Sequence, residues 1–149
     1  IALLYAAAYP QRVTAIVTEA AHVFVEEVTL AGIREAVRAY ETTALADKLA
    51  RYHGSNTDSM FRGWSDTWLS PAFRDWNIVA QLASIVCPSL ILQGEDDQYG
   101  TPAQVAAIVE AIGQPARGVL IPGCAHVPHH QARERVLEEM VDFIAGVLD

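Results

Sequence analysis

Apolar and polar positions along the chain change period several times, and those changes divide it into elements. Residues 1–9 (Ile-Ala-Leu-Leu-Tyr-Ala-Ala-Ala-Tyr) are strong helix formers, apolar on nearly every face, which predicts a buried helix that Pro10 ends. Residues 13–18 form a short β-branched run, apolar on both faces like a central parallel strand. From Leu30 to about Tyr52 the spacing of Leu30, Ile33, Val37 and Tyr40, opposite Arg34, Glu35, Arg38 and Glu41, predicts one amphipathic helix. Gly54, Ser55 and Asn56 interrupt it. Met60, Phe61, Trp64 and Trp68 then mark another helical stripe, and Ser70-Pro71 and Asn77 have the form of successive helix starts.

The strand pattern returns at residues 89–93, an apolar run bounded by Gly94. Thr101-Pro-Ala-Gln104 has capping-box spacing, with Val105, Ile108, Val109 and Ile112 as the apolar face of a helix that Gly113 stops. Residues 118–121 read as a third strand ended by Pro122-Gly123. From about Ala132, the residues Val136, Leu137, Met140, Phe143, Ile144 and Val147 mark a final amphipathic helix. This order predicts an α/β fold, a parallel sheet with helices on both faces, interrupted by a helical insertion. Three strands are few against the usual ~4–6, so the sheet is expected to need more strands than these residues supply.

Composition narrows the class. A length of 149 residues suits one domain, and 52% hydrophobic with 19% charged residues excludes a disordered chain. Ten basic against 18 acidic residues leave a net charge of −8, which repels a polyanion and makes nucleic acid a poor partner. Charges interrupt every apolar run well short of the roughly 18 residues a bilayer span requires, so no membrane partner is expected. Cys87 and Cys124 have no metal or redox spacing and read as buried thiols of a reducing compartment. Residues 1–9 lack a basic n-region, so the expected location is cytoplasmic; they look like the inside of a helix, so the chain is expected to come from a longer one.

Ligands of an open parallel sheet gather beyond the carboxyl ends of its strands. Two loops there carry chemistry: Gly94-Glu-Asp-Asp-Gln98 after the second strand, and Pro122-Gly-Cys-Ala-His126 after the third. A right-handed crossover through the intervening helix brings both to one sheet edge, so an acid and a histidine can meet. A buried carboxylate bonded to one ring nitrogen fixes the tautomer, and the other nitrogen can then take a proton from a hydroxyl nucleophile. The nucleophile's natural place is a G-x-S-x-G turn before a helix such as residues 1–9.

On these residues the chain resembles the α/β-hydrolase superfamily over essentially its whole length. Residues 1–10 look like the helix after the nucleophile elbow, Gly94-Glu-Asp-Asp97 like the acid loop, and Gly123-Cys-Ala-His126-Val-Pro-His129 like the histidine loop. The resemblance implies that residues 1–22 are a helix and strand of the hydrolase core, residues 23–84 a helical cap, and residues 85–149 the C-terminal part of the core. It puts the catalytic acid on Asp97 and the base on His126, with a serine some four to six residues upstream of Ile1, so that these residues alone would be inactive. Asp96 and Glu19 remain competitors for the acid; Glu19 follows a strand at the same sheet edge, where certain haloalkane dehalogenases take theirs.

Blander roles compete for the other polar groups. His126, His129 and His130 beside Asp96 and Asp97 have metal-ligand chemistry, but no helix sets two of these histidines one turn apart, so no metal or organic cofactor is expected. His22 and His53 read as structural or capping groups. Gly63-Trp-Ser65-Asp-Thr67 imitates the elbow, but Thr67 replaces its last glycine and no strand precedes it. Cys124 sits too close to His126 in sequence to face it. Trp64, Trp68 and Trp76 read either as cap core or, for Trp64 and Trp68 above all, as a lining for an apolar or aromatic acyl group.

The expected function is hydrolysis of a carboxylic ester or similar acyl bond in a small molecule. An aspartate nucleophile on the same fold would instead make a dehalogenase or epoxide hydrolase. A reading of another class is a non-catalytic binding module that pairs its open sheet edge with a second copy, as a homodimer.

Overall fold

The structure is a computed structural model that describes residues 1–148. It divides into two compact units, one made of Ile1–Phe24 with Asn77–Asp149 and the other of Val25–Trp76.

The first unit is built on three parallel strands in the order β1 (Ile16–Glu19), β2 (Ser89–Gly94), β3 (Ala116–Ile121). Ile16 lies opposite Ser89 and Glu19 opposite Leu92, while Ser89 to Gly94 align with Ala116 to Ile121. β2 is buried from end to end because it has a strand on each side and a helix on each face. Leu90 and Leu92 point to one face, where they meet Ile121, Cys124 and Val136, the last from α8 (Arg133–Leu148). Burying each of these leucines stabilises the unit by about 1.5–3 kcal/mol. The opposite face of β3 takes α6 (Pro102–Ile112). A Cβ on Gly118 would lie 2.6 Å from a methyl of Val105 and 3.2 Å from one of Val109, so only glycine lets the helix lie this close.

α1 (Ala2–Ala8) buries only Leu3 and Ala6, leaving Leu4 and Tyr5 exposed, so the predicted all-round burial is not met among the described residues. The predicted strand at 13–18 is shifted: Pro10–Arg12 form a 3-10 turn, and the ladder begins where the Ile16 N–H reaches Pro88 O at 2.9 Å. β1 is an edge strand in this sheet rather than a central one, pairing only with β2 among the described residues. β3 starts two residues before the predicted strand. Its charged Arg117 is accommodated because the guanidinium bonds Glu139 of α8 at 2.7 Å, and Arg135 closes on the same carboxylate.

The second unit holds α2 (Glu27–Thr42), α3 (Leu45–His53) and α4 (Thr57–Leu69). The single helix expected from Leu30 to Tyr52 is two. Thr42 and Thr43 each turn their hydroxyl back on a carbonyl four residues earlier, at 2.6 Å, and Thr43 takes up extended backbone; its hydroxyl then accepts the Leu45 N–H that opens α3. Two adjacent β-branched hydroxyl residues compete with the helix for its own hydrogen bonds, and here they end it. Phe61 of α4 is buried under a stacked Tyr40, and Glu27 and Arg74 form an ion pair.

The chain leaves and re-enters the first unit along one line. Ile78 N–H donates to Val23 O at 2.8 Å, and Phe24 and Asn77 form an antiparallel bridge. The buried Gln104 of α6 holds the outgoing segment: its Oε1 accepts from Val23 N–H at 2.8 Å and its Nε2 donates to Phe24 O at 3.1 Å. Asn77 Oδ1 accepts the Val79 N–H at 2.8 Å just ahead of α5 (Val79–Leu82), whose N-cap position is Ile78. Residues 77–84, taken with the helical insertion in the sequence reading, thus belong with the sheet-containing unit, where Leu82 is fully buried. No helix among the described residues is long and apolar enough to cross a membrane.

Gly94 ends β2 where two loops touch. A Cβ there would fall 2.1 Å from Cys124 O and 2.3 Å from Ala125 O, both backbone atoms that cannot swing aside. Gly94→Ala is therefore expected to destabilise the protein by about 3 kcal/mol, the upper end of the usual overpacking cost, without changing the helix content of the native state. Urea unfolding followed by circular dichroism checks this; a midpoint equal to wild type would show that the loops separate at no cost.

Candidate active site

Each of the two candidate loops follows a strand that ends at the same sheet edge. After β2 the chain turns through Glu95 and Asp96, with Glu95 N–H on Ile121 O at 3.0 Å and Asp96 N–H on Cys124 O at 2.9 Å. These bonds stitch the acid loop to the histidine loop and turn alternate side chains apart: Asp96 is exposed, whereas the Asp97 side chain has no exposed area. The two acids that the sequence left in competition thus differ in burial. Gln93, buried in β2, extends its amide to Gly100 O at 2.7 Å and Thr101 O at 3.1 Å, closing the loop behind Asp97.

Asp97 and His126 are neighbours. His126 Nδ1 lies 3.0 Å from both carboxylate oxygens, and Asp97 Oδ1 also accepts the Tyr99 N–H at 2.8 Å. An ionised carboxylate can only accept, so Nδ1 carries the ring proton, and in the neutral imidazole Nε2 is left as the basic nitrogen. Burial by itself pushes the Asp97 carboxyl up. The hydrogen bond from His126, the Tyr99 N–H and electrostatic attraction to His126 and His22 outweigh it and hold the group below the ordinary carboxylate value. The carboxylate therefore stays charged although it is enclosed. The imidazole is about one-third exposed (34%), and the Tyr99 ring stands edge-on to it with centroids 4.7 Å apart.

The histidine loop is held from two sides. Gln131 Oε1 accepts the N–H of Ala125 at 3.0 Å and that of Val127 at 3.2 Å, the residues immediately before and after His126. From β1, Glu19 Oε2 accepts the His129 N–H at 3.1 Å and pairs with His129 Nδ1 at 2.9 Å. Glu19 is thus directed to His129 rather than His126. A surface cavity of about 420 Å³ is lined by Val17, Glu19, Ala20, His126, His129 and Met140.

The remaining candidates lie elsewhere. His22 Nε2 contacts Tyr99 O at 2.8 Å, and its ring centroid is 6.3 Å from that of His126, closer to the pair than a structural role had suggested. His130 is exposed at the end of α7 (Pro128–Gln131), and its ring lies against that of His129. Cys124 is buried, and burial together with Glu19, Asp97 and Asp96 raises its thiol pKa, which keeps it protonated. Ser65 is buried inside α4 with its hydroxyl 3.3 Å from Asp66. Trp64 packs edge-on to Phe61, and Trp68 to Phe73 and Trp76, all contacts internal to the second unit. No group of three or more His, Cys, Asp or Glu among the described residues is arranged to hold a metal ion.

Gln131 and Tyr99 escaped the sequence reading. Tyr99 lies two residues past Asp97, where an Asx-type turn places its N–H on the carboxylate, and that spacing was a usable signal. Gln131 gave none, since a glutamine five residues beyond a histidine has no distinctive pattern.

No protein-family model matches the sequence, and no curated protein does. Solved structures do. The chain is similar to NosK from Streptomyces actuosus, with 22% identity and a TM-score of 0.75 over 99% of this chain and 65% of that one. It is also similar to a thermophilic esterase from Thermogutta terrifontis, at 19% identity and TM-score 0.59 over 98% of this chain and 61% of that one. A third likeness is to MGS-M2, an α/β hydrolase enzyme from a Medee basin deep-sea metagenome library, at 17% and 0.63 over 97% of this chain and 60% of that one. The chain thus spans 60–65% of the length of these structures. With a parallel sheet, helices on both of its faces and likenesses that run through nearly every residue, the chain has the α/β-hydrolase fold in part.

Proposed function

We propose that this chain is the acid- and base-bearing part of a hydrolase that cleaves a carboxylic ester or similar acyl bond in a small molecule. The observation that supports this most directly is the pairing of His126 Nδ1 with both oxygens of the enclosed Asp97, at 3.0 Å each. Asp97 orients the ring and stabilises the imidazolium. Nε2 of His126 takes the proton of a serine hydroxyl carried on an elbow turn in a segment preceding residue 1. The freed oxygen attacks the acyl carbon, the carbonyl becomes a tetrahedral oxyanion, and the imidazolium returns its proton to the departing alcohol as the acyl–oxygen bond breaks. Water then repeats the sequence on the acyl-enzyme, releasing the acid and restoring the hydroxyl.

Asp97→Asn and His126→Ala, made in the protein that carries the elbow, are each expected to lower kcat for a small aryl ester by about 10³-fold or more while the native circular dichroism spectrum is kept. His126→Ala should melt lower, because it leaves the enclosed carboxylate short of a partner. Steady-state kinetics beside circular dichroism reads this, and retained activity in either variant removes that residue from the mechanism. The residue at the elbow is itself decisive: serine supports acyl transfer, whereas aspartate would direct His126 to activate water against an alkyl-enzyme ester.

The depressed Asp97 carboxyl carries a pH signature. Its stabilising contribution is fully present above about 3.9, the ordinary value, and is lost as pH falls through the lower value of the folded state. In a ¹³C titration of the side-chain carboxyl, His126→Ala should raise the Asp97 midpoint, because burial then acts with only the Tyr99 N–H and His22 to oppose it. An unmoved midpoint would mean that the imidazole contributes nothing to keeping Asp97 charged.

A further inference from the structure

We propose that Glu19 is a positioning residue, one that sets the place of the His126 imidazole by gripping the far end of the histidine loop; this rests on the reading of His126 as the base. Glu19 is the last residue of β1, and its backbone is pinned at that point. The next residue, Ala20, gives its N–H to Leu92 O at 2.9 Å and adopts φ 49°, a left-handed conformation that a non-glycine residue takes only at a cost. The carboxylate therefore projects from a rigid strand end. Its Oε2 engages His129 twice, through the backbone N–H at 3.1 Å and through ring Nδ1 at 2.9 Å, a contact spanning 110 residues of sequence.

The geometry explains why His126 needs such an anchor. Asp97 constrains the imidazole through Nδ1 alone, and a ring on a loop can still swing about its own χ angles and with the loop backbone. Gln131 braces the peptides on each side of His126 from α7, the short helix that continues the same loop, and so does not itself tie that loop to the sheet. Glu19 ties that loop to the sheet from the β1 side, while the Asp96 N–H on Cys124 O ties it from the β2 side. His126 lies between the two attachments, three residues before His129. The same cavity wall holds Glu19, His126 and His129, so a displacement of the loop moves the basic nitrogen relative to whatever occupies that cavity. A shift of about 1 Å in a catalytic group can cost on the order of 100-fold in rate.

The test compares Glu19→Ala, Glu19→Gln and His129→Ala with wild type in the protein that carries the elbow, with Asp97→Asn and His126→Ala as references. Glu19→Ala should lower kcat for a small aryl ester by about 10- to 100-fold while changing KM by less than about 3-fold. It should also broaden the downfield proton resonance of His126 Nδ1–H. Glu19→Gln keeps an oxygen acceptor and should recover most of both losses. His129→Ala keeps the backbone bond and loses the ring contact, so its kcat should fall by less than that of Glu19→Ala. Unchanged kcat and an unchanged resonance in Glu19→Ala overturn the proposal. So does a Glu19→Gln as impaired as Glu19→Ala, because charge rather than an acceptor would then be at work. If Glu19→Ala does not fold, His129→Ala decides, and wild-type kcat with a sharp resonance overturns the proposal. Active Asp97→Asn and His126→Ala variants would reject the catalytic reading instead, and the resonance still reports on the loop in that case.

Discussion

An ionised carboxylate removed from water costs several kcal/mol unless its oxygens are fully engaged, and the Asp97 side chain has no exposed area. Its enclosure is sustained by two donors of different origin, a ring N–H from the loop after β3 and a backbone N–H from its own turn. Much else in the first unit serves that arrangement. β2 and β3 must be parallel and in register to bring their loops to one edge, α6 must cross between them, and Gly94 must present no side chain to the facing carbonyls of Cys124 and Ala125. The polar pair also gives the edge of the sheet one preferred arrangement, since slipping either loop would leave a buried charge without its partner.

Support for the pair comes mainly from glutamines and a glutamate rather than from apolar packing. Gln93 closes the acid turn, Gln104 secures the segment that passes out to residue 25, and Gln131 and Glu19 hold the histidine loop. Each places one side-chain amide or carboxylate on two backbone or ring groups. A neutral amide can satisfy buried peptide groups without bringing a second charge near Asp97, which is why glutamine suits the positions deepest in the unit. Glu19, part-exposed at the end of β1, faces a cheaper environment and can carry charge.

What the sequence made legible was whatever depended on local periodicity or on order along the chain. The α6 helix with its Thr101 cap, the buried run of β2 and the final helix were readable because their apolar spacing is strong and proline or glycine marks their ends. That an acid and a histidine meet at one sheet edge followed from strand order and crossover hand, whereas the choice of Asp97 over Asp96 came from the family resemblance. Boundaries failed where a tertiary partner decided them: Arg117 enters β3 because Glu139 waits on α8, and β1 begins where Pro88 offers a carbonyl. The division of α2 from α3 was present in Thr42-Thr43 but outweighed by the apolar spacing around it. Contacts between distant side chains, such as Glu19 with His129 across 110 residues, had no local trace.

The joint at Phe24 and Asn77 has a wider consequence. Because the two crossing points lie side by side and are bridged to each other, with Gln104 holding the outgoing one, the intervening 52 residues from Val25 to Trp76 form a closed excursion. Material of different length or composition can be grafted between the same two points while the bridge keeps β1 and β2 aligned. Evolution, or an engineer, can therefore exchange this module wholesale while Asp97 and His126 keep their separation.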